Sequence, residues 1–255
     1  VKNTLYYIFL GFILCLGIIL RIIVFGYSYE FEDDECRLLL AISDKAYWQL
    51  FAPIGLAQSA PPIFLIIIKF WGAVCNQSEH IMKLIPLIFS LGSIFAFYKL
   101  SVKIFEHRYS ILVSNFLFCV CHFIIIFSSI LKQYSSDVFI SIVLTYFLVD
   151  IKLNKLTQKQ FYILFLCMML LPFISLPSLF FIGAFFILNL FSNYKNRTVL
   201  KKLFVTLIPF LLVLALYYIY NLAPSKIDLD TIFPNYWKDG FLTLETLKQF
   251  RIFAY

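Results

Sequence analysis

Long apolar runs separated by short polar segments dominate the chain. A helix that crosses a bilayer needs about 20 mostly apolar residues, and several runs approach this length. We therefore predict an all-α, polytopic membrane helix bundle with about seven transmembrane helices. The predicted spans are residues 5–24, 81–100, 111–130, 138–149, the two halves of 161–191, and 204–220.

The run 161–191 is too long for one crossing, and Pro172 and Pro177 interrupt it near the middle. Proline removes a backbone donor and clashes with the preceding turn, so it ends or bends a helix. We therefore predict two helices that meet near Ser175. A single span here would move the following basic cluster to the opposite side of the membrane.

The segment between the first two runs is different in character. Residues 30–35 read Glu-Phe-Glu-Asp-Asp-Glu, and residues 36–51 mix apolar and polar positions at helical spacing. This pattern predicts an amphipathic helix in the plane of the membrane interface. Pro61 and Pro62 then open the shorter apolar stretch 63–74, which we predict to be a second interfacial or partly inserted helix.

The charges follow the same layout. If the N-terminus is cytoplasmic, about half of the 21 lysine and arginine residues fall in short cytoplasmic segments, with only Glu106 and Asp150 of the 14 acidic residues. Excess lysine and arginine in short loops marks the cytoplasmic side. These basic residues are Lys2, Lys99, Lys103, Arg108, Lys152, Lys155, Lys159, Lys195, Arg197, Lys201 and Lys202.

The composition argues against a soluble domain and against a nucleic-acid-binding protein. The chain is 62% hydrophobic and 14% charged, whereas soluble domains are about 45–50% apolar and about 25% charged. The net charge of +7 comes from short clusters between apolar runs and not from a basic stripe, so we expect no nucleic-acid partner.

Arg21 lies near the outer end of the first run, where we expect it to snorkel to the headgroups. Cys36 and Cys75 fall on the outer side, as a disulfide or as two free thiols.

Three polar motifs fall on the predicted outer side. The acids at 33–35 are crowded beside a low-dielectric surface, where one can act as a general base, or they form a solvated loop. Residues 133–137, Gln-Tyr-Ser-Ser-Asp, place Asp137 at a helix N-terminus, where Ser135, Ser136 or the acid can also cap the helix. The third motif, residues 58–62, leads into a helix through Pro61 and Pro62.

The order of these motifs resembles that of membrane glycosyltransferases of the GT-C fold. The closest resemblance is to glycosyltransferase family 39, with the bacterial aminoarabinose and protein O-mannosyl transferases as relatives. Residues 34–39 resemble its first-loop acidic motif, 58–71 its PP-apolar-Lys-Phe-Trp segment, and 132–137 its Tyr-Ser-x-acid motif. The resemblance covers about residues 1–220. Family members are usually longer, so we expect residues 1–255 to be one membrane domain at the N-terminal part of a longer protein.

The resemblance implies an inverting transfer of a sugar from a polyprenyl phosphate to an extracytoplasmic glycan, lipid or protein. It implies a multi-pass protein of the bacterial plasma membrane, with a cytoplasmic N-terminus and an extracytoplasmic active site. It points to Asp34 as the base, with Glu35 as its neighbour. Because the preceding acid is doubled here, Asp33 is an alternative base.

The substrate-binding candidates follow from the same motifs. Lys132 and Arg251 are candidates for the leaving phosphate, and Asp137 for the acceptor or a metal. Tyr134 and Gln58 complete the predicted site. A divalent cation stays open, and the lipid-linked sugar is a substrate and not a cofactor.

Two other functions remain open at this point. One is a non-enzymatic transporter or flippase of lipid-linked glycans, and the other is a structural subunit whose acidic loop binds a partner. The apolar runs carry no charge at their centres, which argues against an ion-coupled transporter.

Overall fold

The computed structural model describes residues 2–56, 58–76, 78–151 and 156–225. Every regular element in these ranges is a helix, which confirms the predicted all-α class. The helices are α1 (Lys2–Tyr27), α2 (Asp33–Ser43), α3 (Pro62–Val74), α4 (Glu79–Met82), α5 (Leu84–Ile104), α6 (Arg108–Val120), α7 (His122–Phe127), α8 (Tyr134–Leu148), α9 (Gln158–Leu170), α10 (Ser178–Ser192) and α11 (Arg197–Tyr217).

Three described segments are long and apolar enough to cross a membrane: Thr4–Tyr27, Glu79–Ile104 and Arg197–Ser225. The helices α6, α8, α9 and α10 are apolar but shorter. Large apolar side chains also cover the surface, as at Phe180, which is 82% exposed. Water disfavours extensive exposed apolar surface. These features fit a multi-pass membrane protein, while a count of seven crossings stays a prediction.

The proline-rich interruption lies where it was predicted. A short 3₁₀ helix, Leu171–Phe173, ends the α9 segment, and α10 begins directly after Pro177. Ser175 lies fully buried between the two. The local stereochemistry of proline was therefore enough to locate this turn.

The predicted span at 111–130 is not one continuous helix. The structure divides it into α6 and α7 because Cys121 has an extended backbone conformation, with ψ of 112°. Such a break leaves the last carbonyls of α6 without helical partners. The guanidinium of Arg21 donates to one of them, the carbonyl of Cys119, at 3.2 Å.

The expectation that Arg21 snorkels is also wrong, since its side chain is fully buried. It donates to Ser90 Oγ at 2.8 Å and to the Gly17 carbonyl at 2.9 Å, besides Cys119. Its guanidinium also lies 5.8 Å from the centre of the Phe118 ring. Arg21 stands six residues before the end of α1, roughly 9 Å along the axis. At this depth in the helix the side chain reaches acceptors inside the bundle.

A close helix contact makes this arrangement possible. A Cβ atom added at Gly17 would lie 2.6 Å from the sulfur of Cys119. The absent side chain lets α1 approach α6 closely enough for Arg21 to reach the broken helix. A Cβ atom at Gly11, in the same helix, would meet nothing within 4 Å.

The first loop folds into a cap made of α2, a 3₁₀ helix (Tyr47–Phe51), α3 and α4. The α2 helix begins at Asp33, three residues before the predicted start, so the acids form its first turn instead of a preceding loop. Acidic side chains stabilise a helix N-terminus by interaction with its dipole. The other face of α2 buries Leu38 and Ile42 in a core shared with α3.

A buried ion pair attaches this cap to the bundle. Glu35 Oε2 lies 3.4 Å from Lys83 Nζ, and both side chains are about 1–2% exposed. The ammonium of Lys83 also donates to Ser28 Oγ and to the Glu30 carbonyl. Glu35 accepts the backbone amide of Leu131. The pair therefore joins the end of α1, α2, the start of α5 and the segment before α8.

Substitution of the two glycines tests the contact between α1 and α6. We expect Gly17→Ala to lower the free energy of unfolding by about 1–3 kcal/mol through overpacking against Cys119. Gly11→Ala, in open space, should instead raise it by about 0.5–1 kcal/mol, because alanine favours helix. Thermal unfolding in detergent measures both changes, and equal shifts in the two variants would contradict the close contact.

Breaking the buried pair tests the attachment of the cap. We expect Glu35→Gln or Lys83→Met alone to destabilise the protein by about 3–5 kcal/mol, because each leaves a buried charge without its partner. The double variant should recover most of this loss. The control is Asp33→Asn, which removes an exposed acid from the same helix turn and should change stability by less than about 0.5 kcal/mol. A double variant no more stable than the worse single variant would argue against the pair.

Candidate functional site

Three of the predicted residues meet at one end of the bundle. The carboxylate of Asp34 accepts from Lys132 Nζ at 2.9 Å through one oxygen and from Gln58 Nε2 at 2.8 Å through the other. Lys132 also donates to the amide oxygen of Gln58. We call these three side chains the Asp34 triad. Asp34 is 59% exposed, whereas Lys132 and Gln58 are buried.

Local backbone structure positions each member of the triad. Asp34 lies in the first turn of α2. Gln58 follows a turn in which Gly55 and Leu56 have φ of 82° and 54°. The backbone N–H of Gln58 donates to the Gly55 carbonyl at 3.0 Å. A left-handed leucine is strained, and such strain persists only where the surrounding structure holds it. Lys132 follows Leu131, whose amide binds Glu35. The buried ion pair thus also fixes the segment that carries Lys132.

The electrostatics of the triad act on Asp34 in opposite directions. Partial burial is the largest influence and raises its pKa. Hydrogen bonds from Lys132 and Gln58, with the positive charges of Lys132 and Arg37, together outweigh it and hold the pKa below its usual value. Asp34 is therefore ionised at neutral pH, and the ion pair with Lys132 reduces its strength as a base.

The three consecutive acids occupy three different environments. Successive residues of a helix are rotated by about 100°, and this rotation separates them. Asp33 has a side chain that is 80% exposed and pairs with Arg37 at 2.9 Å. Glu35 points into the core and is 1% exposed. Of the three predicted catalytic acids, the structure brings only Asp34 into contact with Lys132 and Gln58.

Asp137 lies in a second polar cluster. It stands in the first turn of α8, beside the buried Ser175 at the turn between α9 and α10. Asp137 Oδ1 and Ser175 Oγ have no well-formed hydrogen bond to any described residue. Asp137 follows Lys132 by only five residues in the sequence, but it has different contacts from those of the Asp34 triad.

The rest of the predicted motif before α8 has structural contacts. Ser135 donates to the Phe127 carbonyl at 2.7 Å, and Ser136 donates to that of Gln133 at 2.7 Å. The expected capping of α8 by these side chains is wrong, because no side chain accepts a hydrogen bond at the N-cap of this helix. The ring of Tyr134 packs 4.6 Å from that of Phe127 and is partly exposed. Arg251 lies outside the described residues.

The Pro-Pro-apolar-Lys-Phe-Trp segment forms α3 of the cap and connects it to α2 and α4. Pro62 begins α3, as predicted. Lys69 donates to the carbonyls of Ile42 and Ser43, at 2.7 and 2.6 Å, and so caps the end of α2. Trp71 Nε1 donates to the carbonyl of Ile81 at 3.0 Å. A cavity of about 450 Å³ lies between α2, α3 and α4, and Asp34 is not among the residues that line it.

Lys83 was not identified from the sequence as a site residue, although it holds the cap that carries Asp34. The available signal was a lone lysine two residues inside an apolar run, on the same predicted side as the acids. A buried cation in such a place needs a partner. Within the described residues, no group of three or more His, Cys, Asp or Glu side chains could hold a metal ion.

Comparison with known proteins adds no relative to this picture. No protein-family model, no curated protein and no solved structure matches the chain.

Proposed function

We propose that the chain is a membrane glycosyltransferase that moves a sugar from a polyprenyl phosphate to an extracytoplasmic acceptor. The observation that carries the proposal is the Asp34 triad, in which an exposed carboxylate lies beside a buried cation. Glycosyl transfer from a lipid phosphate needs a base for the acceptor and a cation for the leaving phosphate. The motif order that resembles glycosyltransferase family 39 supports the same conclusion.

We further propose about seven crossings, with the triad at the outer end. Support comes from contacts at the opposite end of the bundle, where basic residues gather. Lys103 pairs with Asp150 at 2.8 Å, and the guanidinium of Arg108 lies 5.5 Å from the ring of Tyr6, near the start of α1. Basic residues favour the cytoplasmic side, so the other end, which carries Asp34, faces outward.

In this mechanism the acceptor hydroxyl approaches the anomeric carbon from the face opposite the phosphate. Asp34 removes the hydroxyl proton as the new carbon–oxygen bond forms. The bond from the anomeric carbon to the phosphate oxygen breaks, and its electron pair leaves with the polyprenyl phosphate. The configuration at the anomeric carbon is thereby inverted. The exposed fraction of Asp34 gives the acceptor access, and the polyprenyl chain stays in the membrane.

The ion pair suggests an order of events. In the free protein Lys132 holds the pKa of Asp34 low. A donor phosphate that binds Lys132 would compensate part of the positive charge of the ammonium. The attraction between Lys132 and the Asp34 carboxylate would then be weaker. The pKa of Asp34 therefore rises when the donor is bound, so that Asp34 is a stronger base in the ternary complex than in the free protein. Asp137 and Ser175, which lie beside each other, are the proposed contacts for acceptor hydroxyls.

A second function is favoured by one observation, the buried guanidinium of Arg21. Its Nη2 atom has no hydrogen-bond partner among the described residues. A buried, incompletely paired arginine in a span is typical of a transport path. Flipping of a lipid-linked glycan without transfer is therefore the alternative, and it would require Arg21 and not Asp34.

Neutralisation of single acids in α2 tests the catalytic role. We expect Asp34→Asn to lower transfer from a labelled polyprenyl-phosphate sugar by about 10²- to 10⁴-fold, the usual contribution of a general base. Asp33→Asn removes the same charge one residue away, from a side chain exposed to solvent, and should leave transfer near the wild-type rate. Thermal unfolding of both variants controls for loss of folded protein. Equal transfer by the two variants would exclude Asp34 as the base.

The native thiol of Cys36 tests the proposed orientation. All six cysteines are free, and Cys36 is exposed two residues after Asp34, so the disulfide with Cys75 is not formed. In a protein whose other five cysteines are replaced by serine, we expect a membrane-impermeant maleimide added outside intact cells to label Cys36. An Asn193→Cys variant of a protein in which all six native cysteines are replaced, with the thiol at the opposite end, should label only after permeabilisation. The reverse pattern would place Asp34 in the cytoplasm and contradict the proposal.

A further inference from the structure

The end of the bundle opposite Asp34 contains a second possible binding site. A cavity of about 550 Å³ lies between the last turn of α8 and the face of α10 from Phe181 to Ser192. Apolar side chains form most of its wall, among them Leu148, Phe181, Phe185 and Leu188. Its mostly apolar wall suits a hydrocarbon chain.

This cavity continues into a polar surface. A shallow, open pocket of about 570 Å³ surrounds the turn between α10 and α11, residues 192–197. Ser192 and Asn193 line both spaces, so the apolar cavity and the polar turn are adjacent. Lys195 and Arg197 supply two positive charges at this turn.

These two cations are available to a ligand. Among the described residues neither Lys195 nor Arg197 forms an ion pair. The ammonium of Lys195 lies 5.3 Å from the centre of the neighbouring Tyr194 ring, a contact that leaves its charge unbalanced. The nearest acid in the sequence to the cavity wall is Asp150, and its charge is balanced by Lys103 at 2.8 Å. The side chain of Asn196 accepts the Val199 amide and caps α11. The turn thus presents net positive charge beside an apolar cavity.

We infer that this cavity and its basic turn form a seat for one anionic phospholipid. The acyl chain would occupy the space between α8 and α10, and the headgroup phosphate would lie against Lys195 and Arg197. Charge complementarity selects an anionic lipid, since a zwitterionic lipid gains little from two extra cations. The inference depends on membrane insertion but not on glycosyl transfer.

The test measures lipid binding to the purified, delipidated full chain in detergent by native mass spectrometry. The probes are phosphatidylglycerol and phosphatidylcholine with the same acyl chains. We expect phosphatidylglycerol to bind at least several-fold more tightly, and Lys195→Gln/Arg197→Gln to weaken its binding on the order of tenfold. An excess of inorganic phosphate should not compete, because the acyl chain contributes to binding.

Two further variants make the result decisive. Lys159→Gln/Lys201→Gln removes the same charge from exposed positions at the same end and should bind phosphatidylglycerol like the wild type. Ala184→Phe fills the cavity without changing the charge and should also weaken binding. Equal binding of the two lipids, an equal loss in the Lys159 and Lys201 control, or unchanged binding by Ala184→Phe would each overturn the inference. Because no transfer step is measured, failure here leaves the proposed enzymatic function untouched.

Discussion

The arrangement of the candidate site depends on the buried ion pair of Glu35 and Lys83. Two charges removed from water are tolerated only where they are paired and their remaining hydrogen-bonding groups are satisfied. Here the partners are the backbone amides of Glu32 and Leu131 for Glu35, and Ser28 Oγ and the Glu30 carbonyl for Lys83. The rotation of α2 is therefore fixed. With Glu35 directed inward, Asp34 faces Lys132, and Asp33 faces solvent. One interaction thus decides which acid of three neighbours is available for chemistry.

The same constraint explains why the site combines rigidity and access. Lys132 is buried and held between Asp34 and Gln58, while the carboxylate of Asp34 stays more than half exposed. A buried cation keeps the carboxylate ionised but weakly basic. An incoming anionic group that takes over part of the charge of Lys132 would relieve this restraint. The proposed chemistry therefore starts from an ion pair already present in the protein.

Local sequence features predicted what local stereochemistry controls. Pro172 and Pro177 located the turn between α9 and α10, and Pro62 located the start of α3, because proline limits its own backbone. The break at Cys121 has no glycine or proline to signal it. The inward direction of Arg21 depends on the missing side chain of Gly17 and on acceptors from α5 and α6. The order of the motifs was enough to name Lys132 and Gln58 as candidates. Their contacts with Asp34, like the role of Lys83, join residues far apart in the chain, and periodicity alone cannot reveal such contacts.

The most direct test of the proposed site is a double-mutant cycle between Asp34 and Lys132 on the rate of sugar transfer from a polyprenyl-phosphate donor. Residues that act as one unit give losses that are far from additive. We expect Asp34→Asn and Lys132→Met each to reduce transfer strongly, and the double variant to be little worse than the more damaged single variant. Independent, additive losses, or wild-type transfer in either single variant, would contradict the account.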